Sequence, residues 1–503
     1  MKTFFTTGTD EHGLKVQAAA DKAGIDPKTF CDGLSDKFKE LAEIGEIQYD
    51  RFIRTTDRDH IVAVNHFWKT VYDKGFIYKG QHSGWYSVSD EAFYTETDIE
   101  EAADEQTGTK KMISKETGSE VNFENEENYF FKMGQFREPL IQFYKSHPQF
   151  VQPAKHFDTV YHELISGELH DLSISRPSSR LKWGIPVPND DSQRIYVWFD
   201  ALINYLTSLK YPEYGADLTP ATHLIGKDIT RFHCIHWPIF LMAADLPMPK
   251  RVVVHGHWLM GGRKMSKSRG NVADPMKISH YYGADALRLF MMRNSVLTTD
   301  GDYSEEKLNN TRNEFIDKFC NMVTRGLSKN FDIESALANI KRNSLSSLIS
   351  KIDDTELKKD LLSLYQKVDQ LAKLMDEDIV NFNMPRPIDR VWECVRSVNA
   401  LFDTYKPWTM KPQEKNTENE NTALDLSRQL VVFSALDTMR CSFILLQAFI
   451  PKYSTLLLDR LHVAQDRRGI EYSKIGADLT YGKNAVHKKK DKVPLTKLKM
   501  KLD

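Results

Sequence analysis

The sequence is organised around Gly261-Gly262-Arg263-Lys264-Met265-Ser266-Lys267-Ser268-Arg269-Gly270-Asn271, which follows the apolar run Val252-Val253-Val254. Four cationic side chains and two hydroxyls lie between glycines, which adopt backbone conformations closed to other residues. The pattern predicts a mobile, positively charged loop that leaves a buried strand. Such a loop suits a nucleoside triphosphate, because lysine side chains neutralise phosphate charge as pyrophosphate departs. A solvated basic turn is the alternative interpretation.

The composition is ordinary for a soluble globular protein. At 503 residues the chain is long enough for roughly two to four domains, and 41% of its residues are hydrophobic and 27% charged. Sixty-eight Lys and Arg nearly balance seventy Asp and Glu, so any binding of nucleic acid must use local patches. No apolar run approaches the roughly 20 residues of a membrane helix.

The five cysteines are far apart and form no CxxC pair. This spacing argues against a zinc knuckle and against a disulfide framework, and it fits a reducing compartment. The first residues resemble neither a signal peptide nor an Arg-rich transit peptide.

The N-terminal residues predict a β-strand. β-Branched and aromatic residues fill positions 3–7, and Gly8 ends the run. The strand therefore places Asp10 and His12 at its carboxyl end, where parallel α/β sheets bind their ligands. Both residues are either ligand contacts or ordinary turn and cap residues.

Two amphipathic helices follow. Asp26-Pro27 is typical of a helix start, and the predicted buried face of that helix consists of Phe30, Leu34, Phe38 and Leu41. A second helix begins near Asp57, with its apolar face at Ile61, Val64, Phe67 and Val71. Both are interpreted as crossover helices packed on a sheet.

The middle of the chain changes character twice. Aromatic and β-branched residues within positions 80–156 indicate a short-stranded insertion, with an acidic, exposed loop at 100–127. The sheet-and-helix pattern then returns, with buried strands at 195–199, 223–226 and 252–255 and with Asp200 as a helix cap. Asp274-Pro275 starts a further helix.

From Ser304 onward the pattern is helical. Helical spacing runs through residues 308–327, 357–375, 388–402 and 424–449, and residues 414–421 are predicted to be loop. The lysine-rich tail, residues 483–503, is predicted to be flexible, either touching nucleic acid or only raising solubility. The predicted fold class is therefore α/β, with a parallel-sheet domain followed by an all-α domain.

Four blocks now carry a resemblance: residues 7–13 (TGTDEHG), 196–201 (YVWFDA), 226–229 (GKDI) and 264–268 (KMSKS). In this order they resemble the methionyl-tRNA synthetases, which are class I aminoacyl-tRNA synthetases, over nearly the full chain. The resemblance implies a Rossmann-like catalytic domain with a small inserted domain, followed by a helical anticodon-binding domain. It also implies ATP-dependent formation of methionyl-adenylate and transfer of methionine to tRNA(Met).

The resemblance assigns a methionine pocket of aromatic and apolar residues, which suits a thioether. The pocket residues it implies are Trp198, Ala201, Tyr205, Ile229 and His233, and Leu202 stands where the family usually has proline. Asp10 would face the ammonium group of methionine, and Arg176 would orient Asp10 through a salt link.

The resemblance also assigns contacts with ATP and tRNA. Gly226 and Asp228 would contact the ribose of ATP, while Ser266 and the catalytic Lys264 and Lys267 would bind its triphosphate. Asn321 and Arg325, which are four residues apart and share a helix face, would read anticodon bases, and Pro407 and Trp408 would form a stacking platform. A solvated helix face and a hinge tryptophan are the alternatives for the last two pairs.

Two departures from the family stand out. The histidine signature of the class (HIGH) is absent, and a βα unit on the order of 30 residues is expected upstream of the first block. A poorly active chain is therefore expected, and a truncated reading frame accounts for this better than an evolved loss. In addition, the insertion has Ser87 and Asp90 where some relatives have zinc ligands, which resembles the mitochondrial type.

The predicted domains are residues 1–79 and 157–303 (catalytic), 80–156 (connective insertion), 304–470 (helical) and 471–503 (basic tail). The resemblance implies ATP with Mg²⁺, no zinc, no membrane, a monomer, and the mitochondrial matrix, with the cytoplasm as the alternative. Two rival functions stay open. A class I synthetase for another aliphatic amino acid would need a larger editing insertion, and a catalytically inactive tRNA-binding protein would explain the missing histidine motif.

Overall fold

The computed structural model describes residues 3–87, 92–94, 96–103, 110–115, 117–213, 222–265, 270–483 and 494–501. The chain divides into two compact units. The first consists of Met1–Glu43 and Ile47–His255, and the second of Ile44–Glu46 and Gly256–Asp503.

The first unit mixes strands and helices. In chain order its elements are β1 (Thr6–Thr9), α1 (Leu14–Ala23), α2 (Pro27–Ile44), β2 (Arg51–Arg54), α3 (Arg58–Asp73), β3 (Ile77–Ser87), β4 (Ala92–Tyr94), β5 (Ile99–Ala103), β6 (Lys110–Ser114), β7 (Asn122–Phe131), α4 (Arg137–Ser146), β8 (Val151–Gln152), α5 (Ala154–Ser166), β9 (Leu172–Ser173), β10 (Ser175–Pro177), β11 (Pro186–Val187), β12 (Asp190–Ile195), α6 (Val197–Leu202), α7 (Asn204–Thr207), β13 (Thr222–Gly226), α8 (Trp237–Ala243) and β14 (Arg251–His255).

Parallel strands of this unit form two groups. Strand β1 pairs with β2, with Gly8 opposite Ile53, and a second sheet has the order β13-β14-β8. The predicted strands at 223–226 and 252–255 are confirmed. The carboxyl ends of β1 and β13 deliver Asp10 and Gly226, which agrees with the rule that ligands of parallel sheets bind at such ends.

Antiparallel strands make up the insertion and its surroundings. Strands β4, β3, β7 and β9 form one sheet in that order, β5 pairs with β6, and β12 lies between β10 and β11. Residues 100–127, predicted to be loop, contain most of β5, all of β6 and the first residues of β7, so that prediction is wrong for these strands.

The two predicted crossover helices differ in outcome. In α3, Val64, Phe67 and Val71 are buried as predicted. In α2 the predicted face is wrong, because Phe38 is 54% exposed and the buried residues include Cys31, whose thiol donates to the carbonyl of Glu11 at 3.4 Å. The helix buries the small side chains of Cys31, Ser35 and Ala42, while Leu34 and Phe38 are exposed and Phe30 and Leu41 are half-buried.

The predicted strand at 195–199 is also wrong. Strand β12 ends at Ile195, and α6 begins at Val197, so Trp198 and Asp200 lie within a helix. Asp200 is therefore not a helix cap. A short run of aromatic and β-branched residues fits either element, and tertiary packing decided the outcome.

The second unit is mostly helical. Its elements are β15 (Trp258–Met260), β16 (Arg263–Lys264), α9 (Pro275–Tyr282), α10 (Ala284–Asn294), β17 (Gly301–Tyr303), α11 (Glu305–Phe315), α12 (Asn321–Gly326), α13 (Ile333–Asn343), α14 (Leu345–Ser350), α15 (Thr355–Val380), α16 (Pro385–Tyr405), α17 (Glu418–Leu446) and α18 (Pro451–Arg460). Asp274 caps α9 by accepting from two backbone N–H groups, as its sequence predicted.

Helix α17 forms the centre of the helical bundle. By length and composition it is apolar enough to cross a membrane, yet 94% of its most apolar window is buried inside the protein. Within it, the fully buried pair Arg440 and Asp437 is joined at 2.7 Å. Arg440 also donates to the carbonyl oxygens of Tyr472 and Lys474, so this ion pair anchors the chain that follows α18.

Residues 494–501 pack against the same unit. The Tyr281 hydroxyl donates to the carbonyl of Lys499 at 2.6 Å, and Arg312 donates to the carbonyl of Thr496 at 2.8 Å. Leu495 and Leu498 lie against the hydrophobic core. The prediction of a flexible tail is therefore wrong for these eight residues, while residues 484–493 lie outside the described residues.

A buried carboxylate in α10 predicts a pH dependence of stability. Asp285 accepts from the backbone N–H of Tyr453 at 2.5 Å, and burial raises its pKa from 3.8 to about 6. Because the folded protein then binds the proton more tightly than the unfolded chain, stability falls as the pH rises from about 4 to about 6. Relative to Asp285→Asn, we expect the free energy of unfolding to fall by about 2–3 kcal/mol across this window.

Urea titrations of both proteins at several pH values measure this difference. The asparagine variant keeps an acceptor for Tyr453 and loses only the titration. Identical pH profiles for the two proteins would contradict the assignment.

Candidate functional site

The loop after β1 is held by a buried carboxylate. Glu11 accepts two hydrogen bonds from the guanidinium of Arg54, at 2.7 and 3.0 Å. The hydroxyls of Thr9 and Thr56 donate to the same carboxylate at 2.7 and 2.5 Å. Charge-assisted bonds of this kind fix the backbone on both sides of Asp10, whose own side chain is exposed. The loop therefore presents the Asp10 carboxylate from a rigid base.

An aromatic surface lies on the short helices α6 and α7. Trp198 and Ala201 are three residues apart on α6 and so share a face of that helix, and Tyr205 follows on α7. The indole of Trp198 is stacked on Phe232 at a centroid distance of 3.9 Å and an interplanar angle of 10°. Phe232 was not predicted as a site residue, although its position beside His233 in an aromatic run was a usable signal.

Three predicted pocket residues are joined by hydrogen bonds. Nδ1 of His233 donates to the carbonyl of Ile229 at 3.0 Å, so Nε2 accepts from the hydroxyl of Tyr205 at 2.7 Å. The ring of His233 also lies edge-on to Trp198, with centroids 6.4 Å apart. Burial lowers the pKa of His233 to about 4, so the imidazole is neutral at neutral pH. Together these contacts make an uncharged aromatic wall.

A π-helical turn, Phe232–His236, supports this wall. This wider turn precedes α8, and such turns are frequent at functional sites. A second unpredicted residue, His223 on β13, packs on Tyr205 at a centroid distance of 3.9 Å. Burial and the neighbouring His233 lower the pKa of His223 to about 3, so it adds a further neutral ring.

The end of β13 holds the two predicted ribose contacts. Gly226 is the last residue of the strand, and Asp228 lies in the 3₁₀ turn that follows. A Cβ atom on Gly226 would lie 2.7 Å from Oδ1 of Asp228. A larger residue at this position would force the carboxylate to shift from its place beside the strand end, where a backbone can closely approach a ligand.

Arg176 is buried on β10. Its Nη1 donates to the Ser173 hydroxyl at 2.9 Å and to the Ser175 carbonyl at 2.6 Å, and its guanidinium lies over the rings of Tyr86 and Tyr196. These contacts fix its position. Its salt link to Asp10 stays a prediction.

In the second unit, the cationic loop starts from a small sheet in which β15 pairs with β16 and β17. Gly261 and Gly262 turn the chain with φ of 61° and 73°, and Asp302 accepts the backbone N–H of Gly262 at 3.0 Å. The side-chain amide of Asn271 donates to the carbonyl of the exposed Lys264 at 3.3 Å. This hydrogen bond joins the residue that enters the loop to the residue that leaves it. Ser266 and Lys267 lie outside the described residues.

The helical region brings two of the predicted anticodon residues together. Arg325 on α12 donates to Asp403 at 2.6 Å and lies 5.6 Å above the ring of Trp408. Trp408 is 38% exposed, whereas Pro407, the residue before it, is buried. Asn321 lies one helical turn from Arg325 on α12. An exposed indole beside a guanidinium and an amide is suited to bind an unstacked base.

Comparisons with known proteins identify the family. The sequence model of the family "tRNA synthetases class I (M)" matches residues 1–327. The mitochondrial methionine–tRNA ligase of Candida albicans is 45% identical over 520 residues, which covers 99% of this chain and 89% of that protein. The mitochondrial methionine–tRNA ligase of Homo sapiens is 38% identical over 472 residues, which covers 93% of this chain and 78% of that protein.

A solved structure agrees as well. Mycobacterium tuberculosis methionyl-tRNA synthetase bound by methionyl-adenylate matches with a TM-score of 0.81 and 31% identity, covering 94% of this chain and 89% of that chain. The chain belongs to the class I tRNA synthetases, with a parallel-sheet domain followed by a helical domain, as predicted. Its activity is that of a methionine–tRNA ligase, which excludes the rival assignment to another aliphatic amino acid.

Proposed function

We propose that the first unit binds methionine against Trp198, Ala201, Tyr205, Ile229 and His233. The observation that supports this most is the hydrogen-bonded Ile229, His233 and Tyr205 beside the stacked indole. An uncharged aromatic wall attracts a thioether by dispersion and sulfur–aromatic contact.

The charged end of methionine is proposed to bind elsewhere on the same unit. The exposed Asp10 faces the ammonium group from its rigid loop, and Arg176 orients Asp10. A charged hydrogen bond at one end and an apolar wall at the other fix the direction of the bound amino acid.

In the proposed reaction, a carboxylate oxygen of methionine attacks the α-phosphorus of ATP, and the bond to the pyrophosphate oxygen breaks. A hydroxyl of the terminal adenosine of tRNA(Met) then attacks the carbonyl carbon of methionyl-adenylate, and AMP leaves. Gly226 and Asp228 contact the ribose, while Lys264, Ser266 and Lys267 bind the triphosphate. Because the protein forms no covalent bond, positioning and charge neutralisation supply most of the acceleration.

The helical region is proposed to read the anticodon through Asn321, Arg325, Pro407 and Trp408. We expect Trp408→Ala to lower the efficiency of tRNA(Met) charging about 5- to 150-fold, because stacking of one base on an aromatic ring is worth about 1–3 kcal/mol. Methionine-dependent ATP–pyrophosphate exchange should be unchanged, because it needs no tRNA.

Ile470→Ala, which truncates another exposed apolar side chain of the same unit, is the matched control and should leave both rates unchanged. Equal loss of charging and exchange in Trp408→Ala would indicate a folding defect and remove the anticodon assignment.

The remaining assignments rest on the relatives and on the sequence. Mitochondrial relatives support a mitochondrial enzyme, which we place in the matrix. We propose that it uses ATP with Mg²⁺, needs no zinc and acts as a monomer away from membranes. The catalytic, connective, helical and tail boundaries predicted from the sequence are proposed unchanged.

A further inference from the structure

Two histidines distant in sequence meet at Asp200, which is fully buried in α6. Nδ1 of His12 lies 2.6 Å from one carboxylate oxygen, and Nε2 of His60 lies 2.7 Å from the other. Nδ1 of His60 in turn lies 3.0 Å from the hydroxyl of Thr207. The mechanism proposed above uses none of these four residues, which we call the His12–Asp200–His60–Thr207 network.

The carboxylate of Asp200 fixes the direction of the hydrogen bonds that it accepts. The Thr207 hydroxyl has one proton, which it gives either to the carbonyl of Ile203, at 3.1 Å, or to Nδ1 of a neutral His60, at 3.0 Å. Nε2 of His60 and Nδ1 of His12 both donate to the carboxylate of Asp200, which has no proton to give. Burial raises the pKa of Asp200, but the charge and hydrogen bonds of His12 and His60 lower it by more.

These contacts join the two ends of the proposed methionine site. His12 follows Asp10 by two residues in the loop after β1, and Asp200 lies between Trp198 and Ala201 on α6. His60 adds α3 as a third, fully buried support. The network therefore links the loop of Asp10, which is proposed to bind the ammonium group, to helix α6, which is proposed to contact the thioether.

We propose that Asp200 is a positioning residue that, through His12, sets the distance between Asp10 and the aromatic wall. The inference rests on the proposed methionine pocket. A buried, charge-assisted hydrogen bond holds such a distance more tightly than packing alone, and small displacements of substrate-positioning groups weaken function strongly.

Equilibrium binding of methionine to Asp200→Ala and Asp200→Asn tests this role. The alanine variant loses the link, so methionine affinity should fall on the order of 10- to 100-fold. Asparagine can accept from His12 through Oδ1 and donate through Nδ2 to a neutral His60, so its affinity should stay within about threefold of the original, since all three hydrogen bonds remain.

A second variant keeps the buried pair intact. His12→Ala removes the hydrogen bond from the loop to Asp200, together with the ring contact between His12 and Trp183. It leaves Asp200 bonded to His60 and should weaken methionine binding about tenfold. The control is Val71→Ala, which removes buried volume from α3 but changes none of the four residues of the network. Its methionine affinity should be unchanged although its thermal stability falls.

The desamino analogue 4-(methylthio)butanoate separates positioning from packing. It lacks the ammonium group, so the distance to Asp10 no longer matters, and the Asp200→Ala and His12→Ala variants should bind it as the original protein does. Equal loss of methionine and analogue, or no loss of either, would overturn the inference. If Trp198→Ala leaves methionine binding unchanged, the proposed pocket is wrong. If Trp198→Ala weakens methionine binding but the Asp200 and His12 variants do not, the pocket stands and only the positioning role is wrong.

Discussion

Replacing Gly8 by alanine is expected to break the pairing of β1 with β2 and to lower the free energy of unfolding of the first unit by about 4 kcal/mol or more. A Cβ atom at Gly8 would lie 1.8 Å from the carbonyl oxygen of Ile53, directly across the parallel pair. Neither backbone can yield without loss of the ladder. The loop that carries Asp10 and Glu11 would move with β1, so methionine binding should fall as well.

Gly33→Ala is the matched control for this effect. Gly33 lies inside α2 with no atom within 4 Å of a Cβ atom, and alanine there should stabilise the protein by about 0.5–1 kcal/mol. Denaturant titrations of both variants measure the difference. Equal stability of the two would show that the close approach at Gly8 does not hold.

In an active form of the enzyme, replacing Lys267 by alanine is expected to raise the barrier to methionine activation by about 2–4 kcal/mol, by analogy with the loss of one preorganised donor to developing charge. The rate of methionine-dependent ATP–pyrophosphate exchange should then fall about 30- to 1000-fold. The reason is that pyrophosphate departs with negative charge that the lysine ammonium neutralises.

Lys277→Ala controls for the removal of an exposed lysine near the same loop. Lys277 lies on α9 with its side chain in solvent, and its loss should leave exchange unchanged. Equal rates for the Lys267 and Lys277 variants would refute the role given to Lys267.

Local patterns predicted the strand ends that deliver site residues. A continuous apolar run bounded by glycine or polar residues predicted β13 and β14, and Asp274-Pro275 predicted the start of α9. The positions of Gly226 and Asp228 follow from β13. Local sequence suffices for these elements because the strand period and the cap are themselves local properties. The strand before Asp10 was predicted to end at Gly8, but β1 (Thr6–Thr9) contains this glycine.

Elements that depend on tertiary contacts were predicted less well. The run around Trp198 reads as a strand but forms α6, and α2 buries Cys31 in place of Phe38. His12 and Asp200 are 188 residues apart in sequence, so no spacing rule joins them. The docked residues 494–501 likewise depend on partners such as Tyr281, more than 200 residues earlier.

Recognition of methionine by the aromatic wall of the first unit can be measured by equilibrium binding of methionine and of ATP to the protein and to Trp198→Ala. We expect at least about a tenfold loss of methionine affinity, because the indole supplies buried apolar area and a sulfur–aromatic contact of about 1 kcal/mol. ATP affinity should be unchanged. Unchanged methionine affinity, or equal loss of both ligands, would contradict this role of the aromatic wall.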